Sequence, residues 1–180
     1  RQSGASSITL VVPVYPYSRQ HKKKGREGLT AAMLGHVYEM LGVSRIITLD
    51  IHSREIVNAF NTINLENLHA SYQIIRELGK IVDLTGQKEE LVVVSPDTGA
   101  IDRNKFYASG LKLKVAFLAD DMLGTGGTLL KAMSFLKENG ATKVIAAISL
   151  PFFTGNAIEL FDEAYKKGLF YRIIGTNAVY

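Results

Sequence analysis

The stretch Val115–Leu130, VAFLADDMLGTGGTLL, determines the fold that we predict for this chain. It begins with an apolar run that does not alternate with polar residues, which predicts a strand buried on both faces, as in a parallel sheet covered by helices. Asp120 and Asp121 follow at the expected carboxyl end of the strand, and a Thr/Gly loop then leads into a helix. Ligands of open α/β sheets bind outside the carboxyl ends of strands, so this connection is the first candidate for a functional site.

The loop GTGGT, Gly124–Thr128, has the composition of a phosphate-binding turn. Gly126 and Gly127 tolerate unusual dihedrals and can turn backbone N–H groups inward, next to a helix N-terminus that attracts anions. The two preceding carboxylates can accept hydrogen bonds from a sugar diol, so the segment suits a ligand that carries both a phosphate and a sugar. The alternative is an ordinary strand–turn–helix connection with Thr128 as N-cap. The spacing matches neither a Walker A loop nor the dinucleotide-binding fingerprint.

The remaining sequence repeats the alternation of buried strand and amphipathic helix. We predict strands at Ile8–Val14, Arg45–Asp50, Leu91–Ser95, Val115–Ala119, Val144–Leu150 and Tyr171–Gly175. We predict helices at Thr30–Leu41, Ser71–Val82, Thr128–Glu138 and Asn156–Lys167, with C-cap glycines at Gly42, Gly140 and Gly168. This order indicates the α/β class, with mainly parallel sheets flanked by helices. The part up to about Leu68 supplies only two good strands, too few for a stable sheet of its own.

The composition is that of an ordinary globular protein, with 47% hydrophobic residues, 21% charged residues and a net charge of +4. There is no cysteine, which excludes disulfides and thiolate metal sites. No apolar run approaches the roughly 18 residues of a membrane span, and no leader is recognisable, so we expect a cytoplasmic protein that does not bind membranes.

Positive charge is concentrated in Arg19–Arg26, RQHKKKGR. Such a run suits a polyanion such as a nucleotide, and the alternative is a solvated loop. No DNA- or RNA-binding motif accompanies it, so we expect no nucleic-acid partner.

A histidine follows the second predicted strand. Asp50 and His52 stand at positions i and i+2 near the strand end, so their side chains are expected on the same face. A His close to an Asp is commonly a hydrogen-bonded structural pair, which is the alternative to a functional role.

Several segments together resemble one enzyme family. Asp120–Thr128 resembles the phosphoribosyl diphosphate (PRPP) binding loop of type I phosphoribosyltransferases and PRPP synthetases. Ile8–Gln20, Ile46–His52 and Ser95–Gly99 resemble, in the same order, the nucleotide segment, a strand and a loop of the synthetases. Asn67–Ala70 lies where that family has a turn with the sequence DNLYA. The resemblance to the ribose-phosphate diphosphokinase (PRPP synthetase) family therefore covers nearly the entire chain.

The resemblance implies two phosphoribosyltransferase-like subdomains, residues 1–69, apparently incomplete, and residues 70–180, which carry the PRPP-binding loop. It implies transfer of the diphosphoryl group of ATP to the anomeric hydroxyl of ribose 5-phosphate, giving PRPP and AMP, with Mg²⁺ as cofactor. It further implies a homo-oligomer, commonly a hexamer. Compared with the family, we expect additional sequence before Arg1, near Gly110–Leu111 and after Tyr180.

The roles implied by the resemblance fall on matching positions. ATP would be held by Arg19 and Gln20, magnesium by His52 and Asp97, and catalysis would involve His52, Asp120 and Asp121. Ribose 5-phosphate would be bound by Asp97, Asp120, Asp121, Gly124, Thr125, Gly126, Gly127 and Thr128.

Several positions depart from the family pattern, and three of them bear on activity. His21 and Gly124 stand where the family commonly has acids, and Leu150 lies in the segment where it has Thr-His-Gly. Two alternatives therefore stay open, namely a non-catalytic regulatory homologue and a phosphoribosyltransferase that consumes PRPP.

Overall fold

The computed structural model describes residues 3–82, 92–94 and 116–179. The chain divides into two compact units, Arg1–His69 and Ala70–Tyr180. In the described part of the chain, no helix is both long enough and apolar enough to cross a bilayer.

The first unit is a three-stranded parallel sheet with an α-helix and a short 3₁₀ helix. Its elements are, in order, β1 (Thr9–Val11), α1 (Thr30–Met40), β2 (Arg45–Leu49), the 3₁₀ helix (Arg54–Ala59) and β3 (Asn64–Leu68). The strand order is β1-β2-β3, so β2 is central. Its core is apolar and includes Tyr15, Ala31, Val43, Ile46, Ile51, Ile56 and Ile63.

The strand β3 was missed in the sequence, and our expectation of only two strands in this unit was wrong. Its residues, NLENL, are mostly polar and contain no β-branched or aromatic side chain, so the strand propensity is low. Pairing with β2 and the packing of Leu65 against the core establish the strand despite its composition. Since β3 lies at the edge of the sheet, its polar side chains can reach solvent.

The second unit is a four-stranded parallel sheet in the order β4-β5-β6-β7. Its described elements are α2 (Ser71–Leu78), β4 (Val92–Val94), β5 (Ala116–Leu123), α3 (Gly127–Glu138), β6 (Val144–Pro151), α4 (Ala157–Lys166) and β7 (Arg172–Gly175). The central strands β5 and β6 are buried almost throughout, as their unbroken apolar runs predicted. Helices α3 and α4 contribute Met133 and Phe161 to the core beside Leu118 and Ile148 of the sheet.

The predicted α/β class with mainly parallel sheets is confirmed, and most predicted elements occur within a few residues of their predicted bounds. The three C-cap glycines have positive φ angles of 79°, 90° and 70°, as expected for the left-handed residue after a helix. Two bounds differ more. The helix predicted to reach Val82 ends at Leu78, and the strand predicted to end at Ala119 continues to Leu123.

The connection into β3 is held by the carboxylate of Glu39, near the end of α1. Glu39 accepts hydrogen bonds from the backbone N–H groups of Asn61 and Thr62 at 2.6 and 2.7 Å. These bonds, the one from Thr62 first, lower the pKa of Glu39 to about 2. Because the carboxylate is the form that accepts them, the charged state of Glu39 ties the turn before β3 to α1.

We predict that Glu39→Gln lowers the thermal unfolding midpoint of the protein by a few degrees at neutral pH. A depressed folded-state pKa stabilises the native state above the unfolded-state pKa, and this contribution is lost as the pH falls through about 2. The difference between wild type and variant should therefore shrink towards pH 2. The control is Glu66→Gln, which removes a partly exposed carboxylate that lies 3.3 Å from Nε of Arg45, since ion pairs near the surface contribute little. Equal midpoints for wild type and Glu39→Gln at neutral pH would contradict this role.

Candidate functional site

The sequence Asp120–Thr128 forms the connection from β5 to α3. Both aspartates lie inside the strand, which ends at Leu123, four residues beyond the predicted end at Ala119, so the expectation that they follow its carboxyl end is corrected. The strand is longer because the chain after Asp121 continues to pair with β6, where Met122 lies opposite Leu150 and Leu123 opposite Pro151. The two carboxylates still lie close to the loop, which begins at Gly124 directly after the strand.

Side chains of adjacent strand residues point to opposite faces of a sheet, so those of Asp120 and Asp121 leave β5 on opposite faces. Asp121 is buried, with 6% of its surface exposed, whereas Asp120 is partly exposed. Asp120 also accepts a hydrogen bond from the backbone N–H of Asp121 at 2.9 Å, which restrains its carboxylate. The two carboxylates therefore differ in environment although they are neighbours in the sequence.

The glycine loop has the conformation that a phosphate cradle needs. Gly126 has a φ of 76° and precedes the first residue of α3, Gly127. A Cβ at Gly126 would lie 2.2 Å from Cε2 of Phe161, so both the dihedral and the packing demand glycine. Among the described residues no side chain caps the start of α3, and Gly126 rather than Thr128 is at the N-cap position. Backbone N–H groups of the first helical turn therefore have no intrahelical or side-chain acceptor and can donate to an anion.

The segment after β6 holds the loop from the other side. The N–H groups of Phe152 and Phe153 donate to the carbonyl of Leu123 at 2.9 and 3.2 Å, and that of Thr154 donates to the carbonyl of Gly124 at 3.2 Å. Phe153 has a φ of 48°, unusual for a bulky side chain, and its ring packs edge-on against Phe161 with centroids 5.7 Å apart. The sequence suggested no role for this segment, and the structure shows that it supports the glycine loop.

In the first unit, the end of β2 carries Asp50, whose φ is 42° and whose surface is 5% exposed. The carboxylate of Asp50 lies 2.7 Å from Nδ1 of His69. The strand ends at Leu49 and Asp50 is not extended, so the alternation that predicted a shared face for Asp50 and His52 does not apply. His69 was not among the predicted site residues, although it stands in the turn Asn67–Ala70 noted in the sequence, because the pairing of β3 with β2 that brings it to Asp50 was not recognised.

His52 is exposed and lies against His21, with ring centroids 5.6 Å apart at 60°. Nε2 of His21 is 3.7 Å from the carboxylate of Glu55, and its Nδ1 is 3.3 Å from the carbonyl of Ser18. His21, noted in the sequence as a departure from the family pattern, therefore belongs to the surroundings of His52. Glu55 was not among the predicted site residues.

Arg19 and Gln20 lie on the exposed segment between β1 and α1. The base of this segment is anchored by Tyr15, whose buried hydroxyl donates to the carbonyl of Ala31 at 3.0 Å. Burial, and secondly the neighbouring Tyr38, raise the pKa of Tyr15 to about 12, so the hydroxyl stays a donor at physiological pH. The basic residues that follow, 22–24 and 26, are also exposed.

Asp97, predicted to bind metal and ribose, lies outside the described residues. Within 3–82, 92–94 and 116–179, no three His, Cys, Asp or Glu side chains are grouped so that they could enclose a metal ion. Magnesium does not require such an enclosure, since it is usually bound by one or two protein groups, several waters and substrate phosphates. The described residues are thus compatible with Mg²⁺ bound mainly through a nucleotide.

Comparison with known proteins adds independent findings. A model of the N-terminal domain of ribose phosphate pyrophosphokinase matches residues 1–42, and a model of the phosphoribosyl transferase domain matches residues 111–180. Ribose-phosphate pyrophosphokinase A of Dictyostelium discoideum is 35% identical in an alignment of 191 positions, gaps included, that covers 91% of this chain and 58% of the relative. Ribose-phosphate pyrophosphokinase of Mycoplasma pneumoniae is 32% identical in an alignment of 206 positions, gaps included, that covers 99% of this chain and 61% of the relative.

A solved structure gives the same result for the fold. The crystal structure of phosphoribosylpyrophosphate synthetase from Mycobacterium smegmatis matches with a TM-score of 0.88 and 29% identity. The match covers 99% of this chain and 64% of that protein, so this chain spans about three fifths of the length of its relatives. The predicted family resemblance and fold are confirmed by these matches.

We predict that Gly126→Ala destabilises the protein by about 1–3 kcal/mol, because the added methyl group collides with Phe161 and the left-handed dihedral disfavours a side chain. The matched control is Gly127→Ala, one residue further on, where no atom of the described residues lies within 4 Å of the added Cβ. That variant should be between neutral and about 1 kcal/mol more stable. Denaturant unfolding of both variants checks this, and equal stabilities would contradict the proposed packing of the loop.

Proposed function

We propose that this protein transfers the diphosphoryl group of ATP to the anomeric hydroxyl of ribose 5-phosphate, because the chain resembles ribose-phosphate pyrophosphokinases over nearly its whole length. The products are PRPP and AMP. The observation that carries the proposal is the uncapped, glycine-bearing start of α3 directly after two aspartates, since it offers donors for a phosphate beside acceptors for sugar hydroxyls.

Ribose 5-phosphate would bind at this connection in the second unit. The loop Gly124–Thr128 would receive the 5-phosphate through backbone N–H groups and the hydroxyls of Thr125 and Thr128. Asp120 and Asp121 would accept hydrogen bonds from the ribose hydroxyls, with Asp120 the more accessible of the two. Asp97 is proposed as a further ribose or metal contact from the sequence resemblance alone.

ATP would be held by residues of the first unit. The exposed guanidinium of Arg19 is a permanently charged, planar donor suited to phosphate oxygens, and Gln20 would add a neutral contact. His52, exposed after β2, would help hold the magnesium-bound nucleotide. When bound, Mg²⁺ supplies neutralisation of charge on the phosphates.

The reaction needs positioning more than covalent help from the protein. The anomeric oxygen forms a bond to the β-phosphorus of ATP, the bond between that phosphorus and the oxygen of the α-phosphate breaks, and AMP leaves with that oxygen. The proton of the anomeric hydroxyl is released as the new bond forms. Residues that fix the ribose and the nucleotide lower the barrier by holding the two reactants in line.

A regulatory, non-catalytic homologue is the second candidate. The observation that favours it is the contact of His52 with His21, because His21 replaces an acid of the family pattern beside a proposed catalytic residue. The third reading, a phosphoribosyltransferase that consumes PRPP, is disfavoured because residues 1–42 match the pyrophosphokinase N-terminal domain. Homo-oligomeric assembly and a cytoplasmic location stay predictions from the sequence.

We predict that the natural protein releases AMP from ATP only when ribose 5-phosphate and Mg²⁺ are both present. Asp120→Ala with Asp121→Ala should lower kcat/KM by about 100-fold or more, because the ribose loses the acceptors that orient it. Exposed Glu163→Ala, on the outer surface of α4, is the control and should leave the rate unchanged. Nucleotide binding without AMP release by the wild type would instead support the regulatory reading, and release of diphosphate from PRPP with a nucleobase would support the transferase.

A further inference from the structure

The chain turns sharply where β2 ends, in a conformation that needs support. Asp50 is a non-glycine residue with a φ of 42°, in a left-handed region that side chains adopt at an energetic cost. Its carboxylate is almost completely buried, and burial of a charge is unfavourable without hydrogen-bonding partners. His52 lies two residues further along the same turn. The contacts that hold Asp50 therefore also determine the position of the His52 backbone.

The support comes from the end of β3. The N–H of Asp50 donates to the carbonyl of Leu68 at 2.8 Å, and the N–H of Ile51 donates to Oδ1 of Asn67 at 2.8 Å. The third bond joins the side chains, from Nδ1 of His69 to Oδ1 of Asp50 at 2.7 Å. Three consecutive residues of one strand end thus bind two consecutive residues of the other.

One tautomer of His69 satisfies all these groups at once. The carboxylate of Asp50 accepts, so Nδ1 of His69 carries the proton. The amide oxygen of Asn67 is engaged by Ile51, which turns the amide nitrogen of Asn67 towards Nε2 of His69 at 3.5 Å. An unprotonated Nε2 accepts from that amide. The hydrogen-bond pattern therefore closes into a ring through Asp50, Ile51, Asn67 and His69.

We propose that His69 is a positioning residue, which through Asp50 fixes the turn that presents His52 to magnesium-bound ATP. The inference rests on the proposed function, because it takes nucleotide as the ligand of His52. The side chain of His69 is about half exposed, yet its Nδ1 is directed to a buried carboxylate, so its removal leaves that carboxylate without this donor. Residues that hold a ligand-binding residue in its orientation, without touching the ligand themselves, commonly contribute tenfold or more to the affinity of the site.

The first test measures the pairing without any ligand or turnover. In the natural protein with isotope-labelled histidine, NMR correlation of ring protons with ring nitrogens at neutral pH identifies which nitrogen carries the proton. We expect His69 to carry it on Nδ1, with a bare Nε2. The opposite tautomer, protonated on Nε2 with a bare Nδ1, cannot donate to Asp50 and would overturn the proposal.

The second test separates positioning from general stability through two conservative variants. In the His69→Asn variant, the side-chain amide nitrogen lies about where Nδ1 of the histidine lies. In the His69→Gln variant, it lies about where Nε2 lies. Titration calorimetry with MgATP, in the absence of ribose 5-phosphate so that no turnover occurs, measures affinity for the folded protein. We expect about tenfold weaker binding for His69→Ala and His69→Gln, and binding within about twofold of wild type for His69→Asn.

His36→Ala, which removes an exposed histidine from α1, is the control and should bind MgATP like wild type. If His69→Ala or His69→Gln binds as tightly as wild type, the positioning role is overturned while the proposed function stands. If wild type binds no MgATP, the proposed function fails and the role of His69 fails with it. The NMR result then still decides whether the Asp50–His69 pair exists.

Discussion

The close contact between Gly126 and the ring of Phe161 is the constraint on which the second unit depends. The contact lets the residue before α3 pack directly against α4, and a side chain at Gly126 would collide with the ring of Phe161. Phe161 also packs against Phe153 and Phe170, so one aromatic cluster supports the glycine loop, the segment after β6 and α4 together. The cluster thereby fixes the loop that leads into α3, where backbone donors are available for a ligand because no side chain of the described residues caps the helix.

In the first unit, hydrogen bonds rather than aromatic packing hold the turns before β3 and after β2. Glu39 fixes the turn before β3, and residues of β3 and its end fix the turn after β2. A buried carboxylate in a left-handed conformation is tolerated because its neighbours satisfy it, and such strained residues are found where a structure must hold a functional group in place. His52 follows this turn, which connects the stability of β3 to the proposed nucleotide site.

Much of the fold could be predicted from the sequence because β5 and β6 are continuous apolar runs and the glycines after α1, α3 and α4 end helices in the usual way. The glycine loop could likewise be recognised, since both its dihedral and its packing restrict it to glycine. The strand β3 could not, because pairing with β2 rather than the propensity of NLENL creates it. His69 was missed for the same reason, since its contact with Asp50 joins residues 19 apart and exists only once β2 and β3 pair.

Our central proposal is that this chain belongs to an enzyme that moves the β- and γ-phosphates of ATP together onto ribose 5-phosphate. The most direct measurement follows ATP that is radiolabelled at its β-phosphorus, incubated with the natural protein, Mg²⁺ and ribose 5-phosphate. Our account predicts that the label moves into PRPP and that the AMP formed is unlabelled. Label that remains in ATP, or that appears in ADP while the sugar stays unlabelled, would contradict it.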